Sequence, residues 1–139
     1  MIVSYDYYVN HYYGDKILKE EWSRYEKQAE SYLNLFIRRR LPLVSRDEAT
    51  QAAIKNAICS IANGLVMIRK REIVFEKMNA GGAISSISSG KESISFEKSG
   101  LDKAVYDETE KQKYLYDMCK RYLVDAVDVN GRYLLYWGC

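Results

Sequence analysis

A Cys–His nucleophile pair would have to draw on one histidine, His11, and three cysteines, Cys59, Cys119 and Cys139. A cysteine attacks as its thiolate and needs an oriented base beside it. His11 stands among tyrosines near the start of the chain, and no spacing brings it to a thiol. The cysteines share no C-x-x-C pattern. Cys59 and Cys119 fall within apolar helical patterns, where a free thiol packs as a small hydrophobe. This points to a reducing compartment and to no disulfide framework. There is no G-x-S-x-G, no P-loop and no H-E-x-x-H. Gly81-Gly82 is not followed by a helix start that would hold phosphate, so it reads as a turn. Glu72 and Glu76 stand i, i+4, but Lys70, Arg71 and Lys77 nearby make surface salt bridges the better reading. A metal would want histidines or a tighter oxygen cluster. No enzyme, metal or cofactor is expected.

Two basic clusters remain: Arg38, Arg39 and Arg40 with Arg46, and Arg69, Lys70 and Arg71. Such residues neutralise nucleic-acid phosphates without reading sequence. They also suit helix ends, where a cation meets the negative end of the dipole. A net charge of only +2 over 139 residues favours the second use. No helix-turn-helix pattern is evident. A small helical nucleic-acid-binding protein is the alternative reading of the chain.

The elements that would carry these residues are mostly helical. Hydrophobic residues make up 47% and there is one proline, which fits a folded, helix-rich core. Residues 3–13 read as a short lead-in helix that Asp6 could cap and Gly14 could end. A long helix follows over about 20–39, with Trp22, Tyr25, Ala29, Tyr32, Leu33 and Phe36 on one face. Glu20 and Glu21 fall in its first turn, Arg38 to Arg40 at its end, and Pro42 stops it. A second helix spans about 47–72 or a little beyond. Ser45 or Asp47 caps it, and Ile54, Ile58, Ile61, Leu65 and Ile68 step by four and three. Gly64, inside this run, suggests a close contact.

Residues 79–100 are rich in glycine and serine, which allows either a flexible linker or a β-hairpin. Ile94 and Phe96 alternate with polar residues, and Ile84 and Ile87 precede a turn-like Ser89-Gly90-Lys91. The hairpin, over about 83–97, is the favoured reading. A third long helix covers about 103–124, with Val105, Gln112, Leu115, Tyr116, Cys119, Tyr122 and Leu123 on its buried stripe. The arm over about 130–139 holds Tyr133, Leu134, Leu135, Tyr136 and Trp137. It is too apolar to be free, and either folds back or docks on a partner.

The expected fold is therefore mainly α. It is a small bundle of three long helices with a short lead-in helix, an inserted β-hairpin and an extended C-terminal tail, all in one domain over 1–139. The first twenty residues lack the apolar core of a signal peptide. No run reaches the roughly 20 apolar residues of a membrane span, so a cytoplasmic site of folding and no membrane partner are expected. Thirteen tyrosines against three phenylalanines suit surfaces that are soluble first and buried on assembly.

The order of these segments resembles the small head–tail connector proteins of long-tailed phages, also called adaptor or head-completion proteins. Tyr7-Tyr8-Val9-Asn10-His11-Tyr12-Tyr13-Gly14 looks like the family's opening tyrosine-glycine segment. Glu20-Glu21-Trp22 with Ala29 looks like its first helix, and 53–69 like its long alanine-rich helix. Ile84-Ser85-Ser86 ahead of Gly90-Lys91-Glu92-Ser93-Ile94-Ser95-Phe96 looks like its glycine-turn hairpin. Tyr122-Leu123 and Leu134-Leu135-Tyr136-Trp137-Gly138 look like its closing helix and tail. Lys91 and Trp137 depart from the pattern, standing where an acidic and a basic residue are common.

The resemblance covers nearly the whole chain. It implies a structural, non-enzymatic subunit of the virion, assembled in the host cytoplasm. About twelve copies would form a ring below the portal protein and meet a tail-side stopper or completion protein. DNA would pass through the ring without sequence-specific binding. Tyr133, Leu134, Leu135, Tyr136 and Trp137 would contact the portal or a neighbour, and Ile84, Ile87, Ile94 and Phe96 the channel side or a neighbour. Any phosphate contact would fall to Arg38, Arg39, Arg40, Arg69, Lys70 and Arg71.

Overall fold

The computed structural model describes residues 2–80 and 100–135. The expected hairpin, with Ile84, Ile87, Ile94 and Phe96, lies outside the described residues, as do Tyr136, Trp137 and Cys139. The protein is mainly α. Helix α1 spans Tyr5–Asn10, α2 Lys19–Phe36, α3 Glu48–Ala80, α4 Gly100–Tyr106 and α5 Glu108–Leu123, with a single 3-10 turn at Leu41–Leu43. Strand pairing among the described residues is limited to two isolated bridges. The chain divides into two compact units, residues 1–66 with 115–139, and residues 67–114.

Local chemistry explains where the helices begin. Ser4 rather than Asp6 caps α1, its hydroxyl accepting the Tyr7 N–H at 3.1 Å. Asp6 instead accepts from the Asn10 side chain at 2.7 Å, one turn on. Asp47 caps α3, accepting the Thr50 N–H at 2.9 Å while the Ser45 hydroxyl donates to the same carboxylate. These bonds favour the ionised form and hold the Asp47 carboxyl below its usual range.

The structure differs from the sequence expectation at the end of α2, in the last long helix and in the C-terminal arm. First, α2 stops at Phe36, before the arginines and before Pro42. Arg38 and Arg39 take left-handed backbone, φ 57° and 61°, and the Arg39 N–H closes on the Asn34 carbonyl at 2.6 Å. This is a helix-terminating turn that glycine usually fills. Second, the expected helix over 103–124 is two helices. Asp107 breaks it and caps α5, accepting the Thr109 N–H at 2.9 Å. Third, the C-terminal arm is not extended as far as Leu135. After α5 the chain turns over Asp128 to Gly131, with the Gly131 N–H on the Asp128 carbonyl at 2.9 Å and φ +80° at Gly131. Val127 then bridges Tyr133, Asp128 bridges Val44, and the Leu134 N–H reaches the Ala126 carbonyl at 3.0 Å.

In the first unit, side chains from α1, α2, the start of α3 and the end of α5 share a core with this fold-back. Trp22, Ala29, Leu33, Ile54, Ile58, Ile61, Leu115, Leu123 and Leu134 are all buried. By length and composition α3 could cross a membrane, yet 61% of its apolar stretch is buried in the protein. Tyr8, fully buried, stacks on Trp22 at 4.7 Å. Its hydroxyl donates to the Asn63 Oδ1 of α3 and accepts the Lys16 N–H at 3.0 Å. Gly14 lies against the Tyr8 ring and does not end α1. In the second unit Phe75 stacks on Tyr106 at 5.4 Å, and Arg71 pairs with Asp102.

Candidate interaction surfaces

The two described thiols sit where nucleophilic chemistry is suppressed. Cys59 and Cys119 are fully buried. Burial first, and for Cys59 the charge of Glu26 second, pushes each thiol up to about 12. A reactive cysteine needs the opposite shift. His11 is exposed and stacks on Tyr7 at 5.0 Å. Among the described residues, no group of three or more His, Cys, Asp or Glu could hold a metal ion.

The basic clusters are split by the fold. Arg40 turns inward. Its Nε donates to the Ile37 carbonyl at 3.0 Å, Nη1 to Asp128 Oδ2 at 3.4 Å, and Nη2 to the Tyr133 carbonyl at 3.3 Å and to the Leu134 carbonyl. Asp128, 5% exposed, also accepts the Asn130 and Arg132 N–H groups at 2.8 and 3.0 Å. Those backbone bonds and the Arg40 charge hold its carboxyl below the usual range. Arg40 thus bolts the C-terminal fold-back. Arg38, Arg39 and Arg46 stay exposed on the same unit. In the second unit Arg69 pairs with Glu72 and, at 3.5 Å, with Glu76. Arg71 pairs with Asp102 and lies over the Phe75 ring at 5.5 Å. Lys70 is exposed. The expected partners of Glu72 and Glu76 were Lys70, Arg71 and Lys77; the structure gives that place to Arg69.

The predicted partner-binding residues of the arm also separate. Leu134 is 1% exposed and belongs to the core. Leu135 is half-buried. Tyr133, its neighbour, is 53% exposed. Val129 and Leu43 are exposed as well, and the Val129 N–H meets the Leu43 carbonyl at 2.7 Å. The result is a small apolar edge on a braced piece of backbone, leading directly to residues 136–139.

Sequence reasoning missed Asp128, Gly131 and Glu26. The first two had a signal: Asn130-Gly131 between Val129 and Tyr133 is the strongest short-range hairpin signature. Glu26 had a fainter one, since it lies four residues after Trp22 on the apolar stripe of α2, where a carboxylate is out of place.

No protein-family model, no curated protein and no solved structure matches this chain.

Proposed function

We propose that this protein is a structural subunit of a phage head–tail connector ring, set below the portal and extending the DNA channel toward the tail-side proteins. The observation that carries the reading is the C-terminal fold-back. Leu134 and Arg40 fix it to the first unit, while Tyr133, Val129 and Leu43 stay exposed. An assembly subunit needs such an edge: apolar enough to dock, small enough to leave the free protein soluble. The mainly helical fold and the order of segments support the same reading, as does the burial of both described thiols. In this proposal Tyr133, Tyr136 and Trp137 contact the portal or a neighbouring subunit, and Ile84, Ile87, Ile94 and Phe96 contact the channel side or a neighbour. DNA passes without sequence-specific binding. The ring, about twelve copies, is built at the head–tail interface of the virion after synthesis in the host cytoplasm.

The test must spare the fold. Removing 132–139 would take Leu134 from the core and confuse unfolding with lost docking. Tyr133→Ala combined with removal of 136–139 leaves Leu134 and the Arg40 contacts in place. Portal affinity is expected to fall roughly thirtyfold or more, as for loss of an aromatic hot spot, with little change in thermal stability. Unchanged affinity would remove the docking role from this edge.

A second reading has one observation in its favour: Arg38, Arg39 and Arg46 remain exposed on one unit. It predicts affinity for duplex DNA that falls steeply with salt.

A further inference from the structure

From Ser31 to Arg46 the chain carries four arginines and no acidic residue. Arg40 is engaged internally, by Asp128 and the carbonyls of the fold-back. Arg39 is exposed and makes no ion pair among the described residues. It takes left-handed backbone at φ 61°, directly after Arg38 at φ 57°. Glycine adopts that conformation freely, whereas a residue with a side chain is strained there. Two arginines in succession therefore stand where the backbone alone would favour glycine.

Capping of α2 does not call for these side chains. The carbonyls at its end already have backbone partners. Leu33 accepts the Ile37 N–H at 3.0 Å, Asn34 the Arg39 N–H at 2.6 Å, and Leu35 the Arg38 N–H at 3.2 Å. The Leu41 N–H donates to Asn34 Oδ1 at 3.1 Å, so the turn is pinned on both sides of the Arg39 side chain. Arg39 borders a groove of about 460 Å³ whose other walls are Ser31, Tyr32, Asn34 and Leu35. Leu35 is 48% exposed, Tyr32 is half-buried, and no lining residue is acidic.

We propose that this groove binds an acidic peptide segment of a protein partner, with Arg39 taking a carboxylate and Leu35 and Tyr32 covering an adjoining apolar side chain. Charge complementarity selects the anion. A guanidinium with no internal ion pair matches a carboxylate through two parallel N–H···O bonds. The apolar wall selects a peptide over a nucleic-acid backbone, which is held by a row of cations and leaves an exposed leucine without a contact. The strained turn has a use in this reading: it presents Arg39 on fixed backbone, so binding does not have to order a loop. The peptide site goes beyond the connector reading and does not depend on it.

Fluorescence anisotropy on the full chain tests it, with a short labelled peptide that carries a single leucine among glutamates. The controls are the same peptide with lysine for glutamate, the same peptide with serine for leucine, and a labelled DNA duplex. The glutamate–leucine peptide is expected to bind, the serine peptide more weakly and the lysine peptide not at all. Arg39→Gly should weaken binding by roughly tenfold or more, whereas Arg46→Ala, outside the groove, should leave it within about twofold. Because Arg39→Gly also relieves the left-handed strain, its thermal midpoint should rise, by about 3 °C, which separates lost binding from lost folding. Absence of binding by the glutamate–leucine peptide overturns the proposal. So does an affinity unmoved in Arg39→Gly, a lower thermal midpoint in that variant, or preferential binding of the duplex that Arg39→Gly and Arg46→Ala weaken alike.

Discussion

Gly14→Ala is expected to destabilise the first unit by about 3 kcal/mol, the upper end of ordinary overpacking costs. The cause is space alone, because Gly14 has no left-handed φ to protect. A Cβ there would lie 2.7 Å from Cδ1 of Tyr8 and closer still to Cε1 and Cζ. The Tyr8 ring cannot step aside. Trp22 stacks on it at 4.7 Å, and Asn63 and the Lys16 N–H fix its hydroxyl. Chemical denaturation of Gly14→Ala, alone and combined with Tyr8→Leu, checks the mechanism. If the clash is the cause, the glycine substitution should cost at least about 1 kcal/mol less in the Tyr8→Leu background. An unchanged cost would place the problem in the backbone instead. Gly131 is the converse case, with open space where a Cβ would lie but φ +80°.

Leu134→Ala should cost about 3 kcal/mol, as buried leucine truncations do, whereas Tyr133→Ala should change stability by no more than about 0.5 kcal/mol. The two residues are adjacent, but one is 1% exposed and the other 53%. The difference follows from the register of the fold-back, which the Val127–Tyr133 bridge and the Leu134 N–H to Ala126 bond define. A one-residue slip would reverse the two sides. Denaturation midpoints for both variants measure it. Equal and small effects would mean that the arm is not docked in the free protein. A costly Tyr133→Ala would mean that the register is wrong. The comparison also bears on function, since it separates the residue that holds the arm from the residue offered to a partner.

Much of the helical framework could be read from residue spacing, and the reasons for the exceptions are physical. The periodic stripes of α2 and α3 fill the core as expected, from Trp22 to Phe36 and from Ile54 to Ile68. The end of α2 could not be read from Arg38 to Arg40. Three arginines look like a dipole-matched last turn, and only contacts made 88 to 94 residues away, from Arg40 to Asp128 and the Tyr133 and Leu134 carbonyls, show why the chain turns there instead. The break at Asp107 was legible, because Asp107-Glu108-Thr109-Glu110 has the form of a capping box; an apolar stripe continuing across it hid the signal. The Asn130-Gly131 turn was legible too, and was obscured by reading the apolar tail as an arm. Glu26 could be placed on the buried stripe by counting turns, but its backbone partners come from residues 24 and 23 positions earlier. Nothing local announces them.

Among possible surfaces, the fold leaves the outer side of the fold-back as the best-braced apolar edge of the first unit. It also pairs Arg40, Arg69 and Arg71, first considered for phosphate contact, with acidic side chains. That balance favours docking between proteins over binding to nucleic acid.

Light scattering on the intact protein, alone and mixed with the portal protein encoded in the same genome, tests the connector proposal most directly. The account predicts a small species alone and, with the portal, a large stoichiometric complex in which about as many copies join as the portal ring has subunits. A protein that ignores the portal at micromolar concentration, yet binds duplex DNA with an affinity that falls steeply between low and physiological salt, would contradict it.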